Sequence, residues 1–142
     1  MKNFIIDIET ATDEFMRFCD AWEIDFESTT MSEDDKKDYE PLKSKIVKSI
    51  MMGRLCINDD ENLEYTISEK TKNKNKSGQK ITISRPDGAT YMAMDRYKDG
   101  QSIHKMNAIL ASMSGKTPEF FSDVDGIDLK PLHAIINLFL AE

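Results

Sequence analysis

The spacing of apolar residues changes twice along this chain of 142 residues, and that change restricts the possible folds. Between Ala11 and Met51, apolar residues recur at steps of three and four, the period of an amphipathic α-helix. Between Leu55 and Ser84 they alternate with polar residues, the period of a half-buried strand. The helical spacing returns from Ile103 onwards. The sequence therefore predicts an α+β protein.

The N-terminal part, residues 1–53, is predicted to be a helical hairpin preceded by a possible strand at residues 3–8. Thr10 is expected to cap the first helix, with Asp13 three residues later in a capping-box-like arrangement. Its apolar stripe consists of Ala11, Phe15, Phe18 and Trp22. The second helix is expected to kink or begin at Pro41 and to stop at Gly53, because proline breaks the helical hydrogen-bond pattern.

Residues 54–142 are predicted to hold a three-stranded antiparallel β-meander, followed by helices packed on the sheet. Strands are expected around Leu55–Ile57, Leu63–Ile67 and Lys80–Ser84, with a solvated, mobile loop at residues 70–79. Asp87 is expected to cap the first helix that follows. We expect residues 1–53 and 54–142 to form one compact unit.

Composition indicates a globular protein without a membrane-spanning segment. The chain is 39% apolar and 32% charged, and no apolar run reaches the roughly 18 residues that cross a bilayer. Its start lacks the pattern of a signal peptide. Cys19 and Cys56 lie in apolar patterns without metal-like spacing, so we expect two reduced core cysteines and a location in the cytoplasm.

The net charge of −7 is concentrated in residues 1–60, which carry 15 acidic and 8 basic residues. An acidic surface repels phosphate backbones, so nucleic acid is a disfavoured partner. The lysines of the loop at residues 70–79 have no interleaved aromatic residues for base stacking. The distribution suits a basic protein partner, and it suits solubility equally well.

The C-terminal part, residues 80–142, combines a short strand, an arginine and a proline with a series of amphipathic helices. In this order it resembles the tail assembly chaperones of long-tailed bacteriophages, the family of the Mu-like tail assembly protein. The matching residues are Ile83, Arg85, Pro86, Ile109, Leu110, Met113, Ser114, Gly115, Asp128, Leu129 and Phe139.

This resemblance implies a non-catalytic chaperone in the host cytoplasm. Such a protein binds the tape measure protein, keeps it soluble and helps to recruit tail tube subunits. The last two helices carry more apolar residues than one sheet face needs, so we expect some of them to bind a partner helix or a second copy of the chain. The candidate contact residues are Met106, Leu110, Met113, Leu132, Ile136 and Phe139.

Two alternative functions come from other classes. Asp7 and Glu9 resemble the first motif of metal-dependent 3′–5′ exonucleases, where a strand presents two acids on one face to metal ions. Tyr91 and Asp95 imitate the closing motif of that family, but the middle motif is missing. The other alternative is a structural subunit of a tail or baseplate.

Other chemistry has little support in the sequence. The acids Asp123, Asp125 and Asp128 suggest a calcium loop, but the residues expected at its first and last ligand positions are Phe121 and Leu132. A turn and a helix cap explain these acids better. We found no phosphate-binding glycine loop and no nucleophile-and-base spacing. We therefore expect no catalytic residues, no metal site and no cofactor.

Overall fold

The computed structural model describes residues 4–24, 32–95, 97, 100 and 102–140. Within them, five α-helices accompany a three-stranded antiparallel sheet, which confirms the α+β class, the N-terminal helical hairpin and the C-terminal helices. The helices are α1 (Ile8–Ala21), α2 (Glu33–Met51), α3 (Gly88–Met94), α4 (Ser102–Ser114) and α5 (Gly126–Leu140), and a 3-10 helix spans Pro118–Phe121. The strands are β1 (Leu55–Ile57), β2 (Leu63–Thr66) and β3 (Lys80–Ile83).

Helix α1 begins earlier than expected, because Asp7 caps it. The Asp7 carboxylate accepts a hydrogen bond from the Thr10 backbone N–H at 2.8 Å. Hydrogen bonding to the Thr10 side chain, and then to the Thr10 backbone, lowers the pKa of Asp7. The predicted strand at residues 3–8 is therefore wrong over its described part, and Thr10 is not the cap. The predicted apolar stripe is confirmed, since Ala11, Phe15, Phe18 and Trp22 are all buried.

Helix α2 runs through Pro41, so this proline neither starts nor ends the helix. Its second half buries Ile46, Val47 and Ile50, and α2 packs against α5. This burial stabilises the helix enough to offset the hydrogen bond that proline cannot donate. The helix ends at Met51, and Gly53 follows with a φ of 76°, a left-handed conformation that favours glycine.

The sheet has the predicted meander order, β1-β2-β3. Leu55 pairs with Tyr65, and Tyr65 pairs with Ile81, which places all three residues on one face. That face is buried against the helices. Because side chains alternate along a strand, Cys56 lies on the opposite, exposed face. The expectation that both cysteines are core residues is thus wrong for Cys56 and confirmed for Cys19.

The C-terminal helices close the core over the sheet. Asp87 and Thr90 form a reciprocal capping box at the start of α3, as predicted for Asp87. The end of α4 lies beside β3, where the Ser84 backbone N–H donates to the Met113 carbonyl at 2.9 Å. None of the helices in the described ranges has the length and apolar character needed to cross a bilayer.

Candidate partner-binding surface

The structure places the six predicted contact residues at two depths. Four of them, Leu110, Met113, Leu132 and Ile136, are at most 2% exposed and belong to the protein's own core. Met106 and Phe139 are partly buried at its edge. In this conformation only the last two can reach another molecule, and the binding role of the set stays a prediction.

Phe139 connects α5 to the end of α1. Its ring packs edge-on against the indole of Trp22, with ring centroids 6.0 Å apart. The Trp22 N–H in turn donates to the Glu61 carbonyl at 2.8 Å, in the turn between β1 and β2. Phe139 therefore has a packing role in the fold, and its side chain is only partly exposed.

The accessible apolar surface of α4 lies at its N-terminal end. Ile103 is 61% exposed, and with Met106 it lines a surface depression of about 510 Å³ between α4 and α5. His133 and Asn137 form the α5 side of this depression. The predicted seam is thus available only where α4 begins, because the later turns of the helix are covered by the sheet, the 3-10 helix and α5.

His133 contributes a hydrogen-bonded polar side chain to the lining of this depression. Its Nε2 atom lies 3.0 Å from the Asn107 Oδ1, and burial lowers the pKa of the imidazole. His133 is therefore neutral at physiological pH, and Nε2 carries the proton when it donates to the amide oxygen. The depression offers apolar contacts from Ile103 and Met106 beside an uncharged hydrogen-bonded pair.

The most highly connected polar group is Asp128, which sequence reasoning had interpreted as part of a turn and cap. Its carboxylate is fully buried and accepts four hydrogen bonds. Oδ1 accepts from the Tyr65 hydroxyl at 2.6 Å and from the Ser68 backbone N–H at 3.1 Å. Oδ2 accepts from the Ser68 hydroxyl at 2.9 Å and from the Thr71 hydroxyl at 3.0 Å. The capping role belongs to Asp125, whose side chain accepts from the Ile127 backbone N–H.

This cluster also changes Tyr65. Burial and the Asp128 carboxylate raise the pKa of the phenol, so the hydroxyl stays protonated and acts as a donor. All four bonds to Asp128 hold neighbouring chain segments in place, and its buried carboxylate has no free lone-pair direction towards solvent. Such an arrangement is typical of a structural polar cluster, since a catalytic acid or base needs access to a substrate.

The predicted solvated loop at residues 70–79 is docked on the protein, which corrects that expectation. Thr71 is fully buried, and its hydroxyl also accepts a bond from the Asp125 backbone N–H at 3.3 Å. The Lys76 ammonium donates to the Phe120 carbonyl at 2.6 Å and pairs with Asp123. The lysine also lowers the pKa of the Asp123 carboxyl. Asp123 is therefore engaged by the loop.

The acids of the proposed exonuclease motif do not share a face. Asp7 is the helix cap and Glu9 lies in the first turn of α1, where residues two apart point in different directions. Across the described ranges, no group of three or more histidine, cysteine, aspartate or glutamate side chains is placed to hold a metal ion. The geometric premise of that alternative, a strand presenting both acids, is absent from residues 4–9.

In the sequence, the Asp128 cluster is visible only as one acid in an apolar helix and one tyrosine in an apolar strand. A buried acid in a helix that otherwise buries Leu132, Ile135 and Ile136 is a usable signal, because such a charge needs several donors. Comparisons with protein-family models, with curated proteins and with solved structures found no match for this chain.

Proposed function

We propose that this protein is a non-catalytic assembly chaperone, which by its resemblance to tail assembly chaperones binds the tape measure protein and helps to recruit tail tube subunits. The observation that supports the proposal is the exposed apolar end of α4, where Ile103 and Met106 border a depression of about 510 Å³. An amphipathic partner helix can insert apolar side chains into such a depression.

The size and composition of this surface suit reversible binding. Ile103 supplies one exposed branched side chain, and Met106 supplies a flexible thioether that adapts to different shapes. A chaperone must release its client, so a small apolar contact serves it better than a large permanent interface. The same surface could contact a second copy of the chain, which makes a homo-oligomer part of the proposal.

The proposal is tested with the variant Ile103→Ser, measured by co-purification and by the dissociation constant for the tape measure protein. We expect the affinity to fall about tenfold or more, because an anchor side chain contributes roughly 1.4 kcal/mol or more. The matched control is Met92→Ser on α3, which is also strongly exposed and does not line the depression. Equal affinities for wild-type and Ile103→Ser would contradict the proposal.

A second measurement addresses the exonuclease alternative. Purified protein is incubated with magnesium or manganese and labelled single-stranded DNA. We expect no nucleotide release, because Asp7 caps a helix and Glu9 points elsewhere. Release that is present in the wild type and lost in Asp7→Ala would replace the chaperone proposal by a metal-dependent nuclease.

A further inference from the structure

A furrow with basic edges extends from the junction between the end of α2 and the start of α5 to the loop that follows β2. It consists of two adjoining depressions of about 170 and 640 Å³ that share Met52 and Arg54 as a common wall. The smaller is also lined by Lys45, Lys48, Ser49, Ile127, Lys130 and Pro131. We call these two depressions together the basic furrow.

The charge of the basic furrow is opposite in sign to the net charge of the whole chain. Five basic side chains and one acidic side chain line it, although the chain as a whole carries −7. Among the described residues, neither Lys45 nor Lys130 forms an ion pair. Both lysines are exposed, and both line the smaller depression.

Apolar side chains accompany these charges. Ile127 is 43% exposed in the smaller depression, and Ile5 is 78% exposed at the larger one. The Ile5 backbone N–H donates to the Met51 carbonyl at 2.8 Å, which holds this isoleucine beside the end of α2. Met52 lies between the two depressions. An occupant can therefore combine carboxylate contacts with apolar contacts.

We infer that the basic furrow binds an acidic polypeptide segment that carries apolar side chains. Its carboxylates would face Lys45, Lys130 and Arg54, and its apolar side chains would contact Ile127 and Met52. Nucleic acid fits less well, because a long polyanion also meets the repulsion of the acidic chain. The lining also lacks the aromatic side chains on which unpaired bases stack.

The inference is tested by fluorescence anisotropy with a labelled synthetic peptide that repeats Glu-Glu-Leu. We expect saturable binding that weakens as salt rises, since the contacts are partly between exposed charges. The double variant Lys45→Glu with Lys130→Glu should raise the dissociation constant at least tenfold. The matched control is Lys72→Glu with Lys80→Glu, which makes the same change in net charge at exposed lysines outside the furrow. It should change binding less than threefold.

Three further probes decide what the furrow recognises. A Glu-Glu-Ser peptide should bind several-fold more weakly, and equal binding would overturn the apolar part of the inference. A Lys-Lys-Leu peptide should not bind. Single-stranded DNA that binds more tightly than Glu-Glu-Leu, with the same loss in Lys45→Glu with Lys130→Glu, would overturn the inference in favour of a nucleic-acid site. Absence of peptide binding, or an equal effect of both double variants, would also overturn it.

This inference does not depend on the proposed chaperone function. Ile103 lines the depression between α4 and α5, not the basic furrow. The variant Ile103→Ser should therefore bind the Glu-Glu-Leu peptide as the wild type does. The furrow variants leave Ile103 and Met106, at the apolar end of α4, unchanged. Melting temperatures of all variants within a few degrees of wild type establish that each loss of binding is local.

Discussion

Asp128 shows how a single buried charge can be tolerated in this protein. Removing a carboxylate from water costs several kcal/mol unless donors replace the lost hydration. Here donors come from Tyr65 in β2 and from Ser68 and Thr71 in the loop that follows. The charge therefore connects the start of α5 to one strand and one loop. None of these bonds is local in sequence.

The first prediction concerns the variant Asp128→Asn. In asparagine an NH₂ group replaces one of the two carboxylate oxygens. This donor would face the hydroxyls of Ser68 and Thr71, which donate to the carboxylate in the wild type. We expect the free energy of unfolding to fall by about 3 kcal/mol, because hydrogen bonds to a charged group are lost and buried donors stay unpaired. Urea denaturation measures this change. The matched variant Asp59→Asn, at an exposed turn position, should stay within about 0.5 kcal/mol of wild type.

The second prediction concerns alkaline pH and Tyr65. The folded-state pKa of Tyr65 is raised above the unfolded value of 10.0. The contribution of the neutral phenol to the free energy of unfolding is therefore fully present below pH 10. Above pH 10 the unfolded chain releases this proton while the folded chain retains it. Stability should therefore fall by about 1.4 kcal/mol for each pH unit above 10 through this group alone.

The measurement is urea denaturation of wild type and Tyr65→Phe at several pH values from neutral to alkaline. The difference between their free energies of unfolding should be constant up to pH 10 and should shrink above it. Tyr91→Phe serves as the control, because Tyr91 is 46% exposed. A difference that stays constant through the alkaline range would show that Tyr65 ionises as readily in the folded state as in the unfolded state.

At the scale of elements, the loop between β2 and β3 acts as a docked segment. It contributes the buried Thr71 to the Asp128 cluster and the Lys76 ammonium to the Phe120 carbonyl. The Lys76 ammonium also lies 4.4 Å from the centroid of the Phe120 ring. The loop thus holds the 3-10 helix and the start of α5 against the sheet, although its composition is that of a solvated connection.

The third prediction is that replacing residues 70–79 with an Asn-Gly turn destabilises the protein by about 2 kcal/mol or more. The replacement removes both the Thr71 hydroxyl and the Lys76 ammonium. The hydrogen bonds of each group contribute about 1 kcal/mol to stability. Thermal or urea unfolding measures the change. Lys72→Ala, an exposed position in the same loop, is the control and should be nearly neutral. A replacement as stable as wild type would restore the interpretation of a purely solvated loop.

Across the molecule, the N-terminal and C-terminal helices contribute side chains to the same hydrophobic core. Helix α2 packs on α5, and Trp22 at the end of α1 contacts Phe139 near the end of α5. The Arg17 side chain donates to the Ile57 carbonyl at 2.9 Å, which ties α1 to β1 as well. Helices α1 and α2 thus share their apolar surfaces with β1 and α5.

The fourth prediction follows from the contact between Phe139 and Trp22. Replacing Phe139 by Ala should lower the free energy of unfolding by about 2 kcal/mol, less than for a fully buried ring because this ring is partly exposed. Phe139→Leu should recover most of this loss by refilling the space. If Phe139→Ala melts as wild type does and loses partner binding, its main role is that of an interface anchor.

The fifth prediction is cooperative unfolding. Trp22 is the only tryptophan, so its fluorescence reports on the N-terminal helices. Far-ultraviolet circular dichroism reports on all the helices. If residues 1–53 and 54–142 form one unit, the two urea transitions should coincide within error. A tryptophan transition at clearly lower urea would divide the chain into two separately unfolding parts.

Much of the fold follows from residue spacing. The stripe from Ala11 to Trp22 and the alternation of Leu63 and Tyr65 are short-range patterns, and both lie on the buried face where they were expected. The start of α1 was misplaced because Asp7 and Thr10 are both competent caps, and only the backbone geometry distinguishes them. The partner site was less predictable, because four of its six proposed residues are buried in the core.

The element types and their order follow from residue spacing alone, because helical and strand periods are properties of neighbouring residues. The tertiary structure alone decided which apolar residues are covered and which polar residues meet. Asp128 and Tyr65 are 63 positions apart, yet their oxygen atoms lie at 2.6 Å. Lys45 and Lys130 similarly line one depression from two helices. Such pairs depend on how elements pack, and no local pattern records that packing.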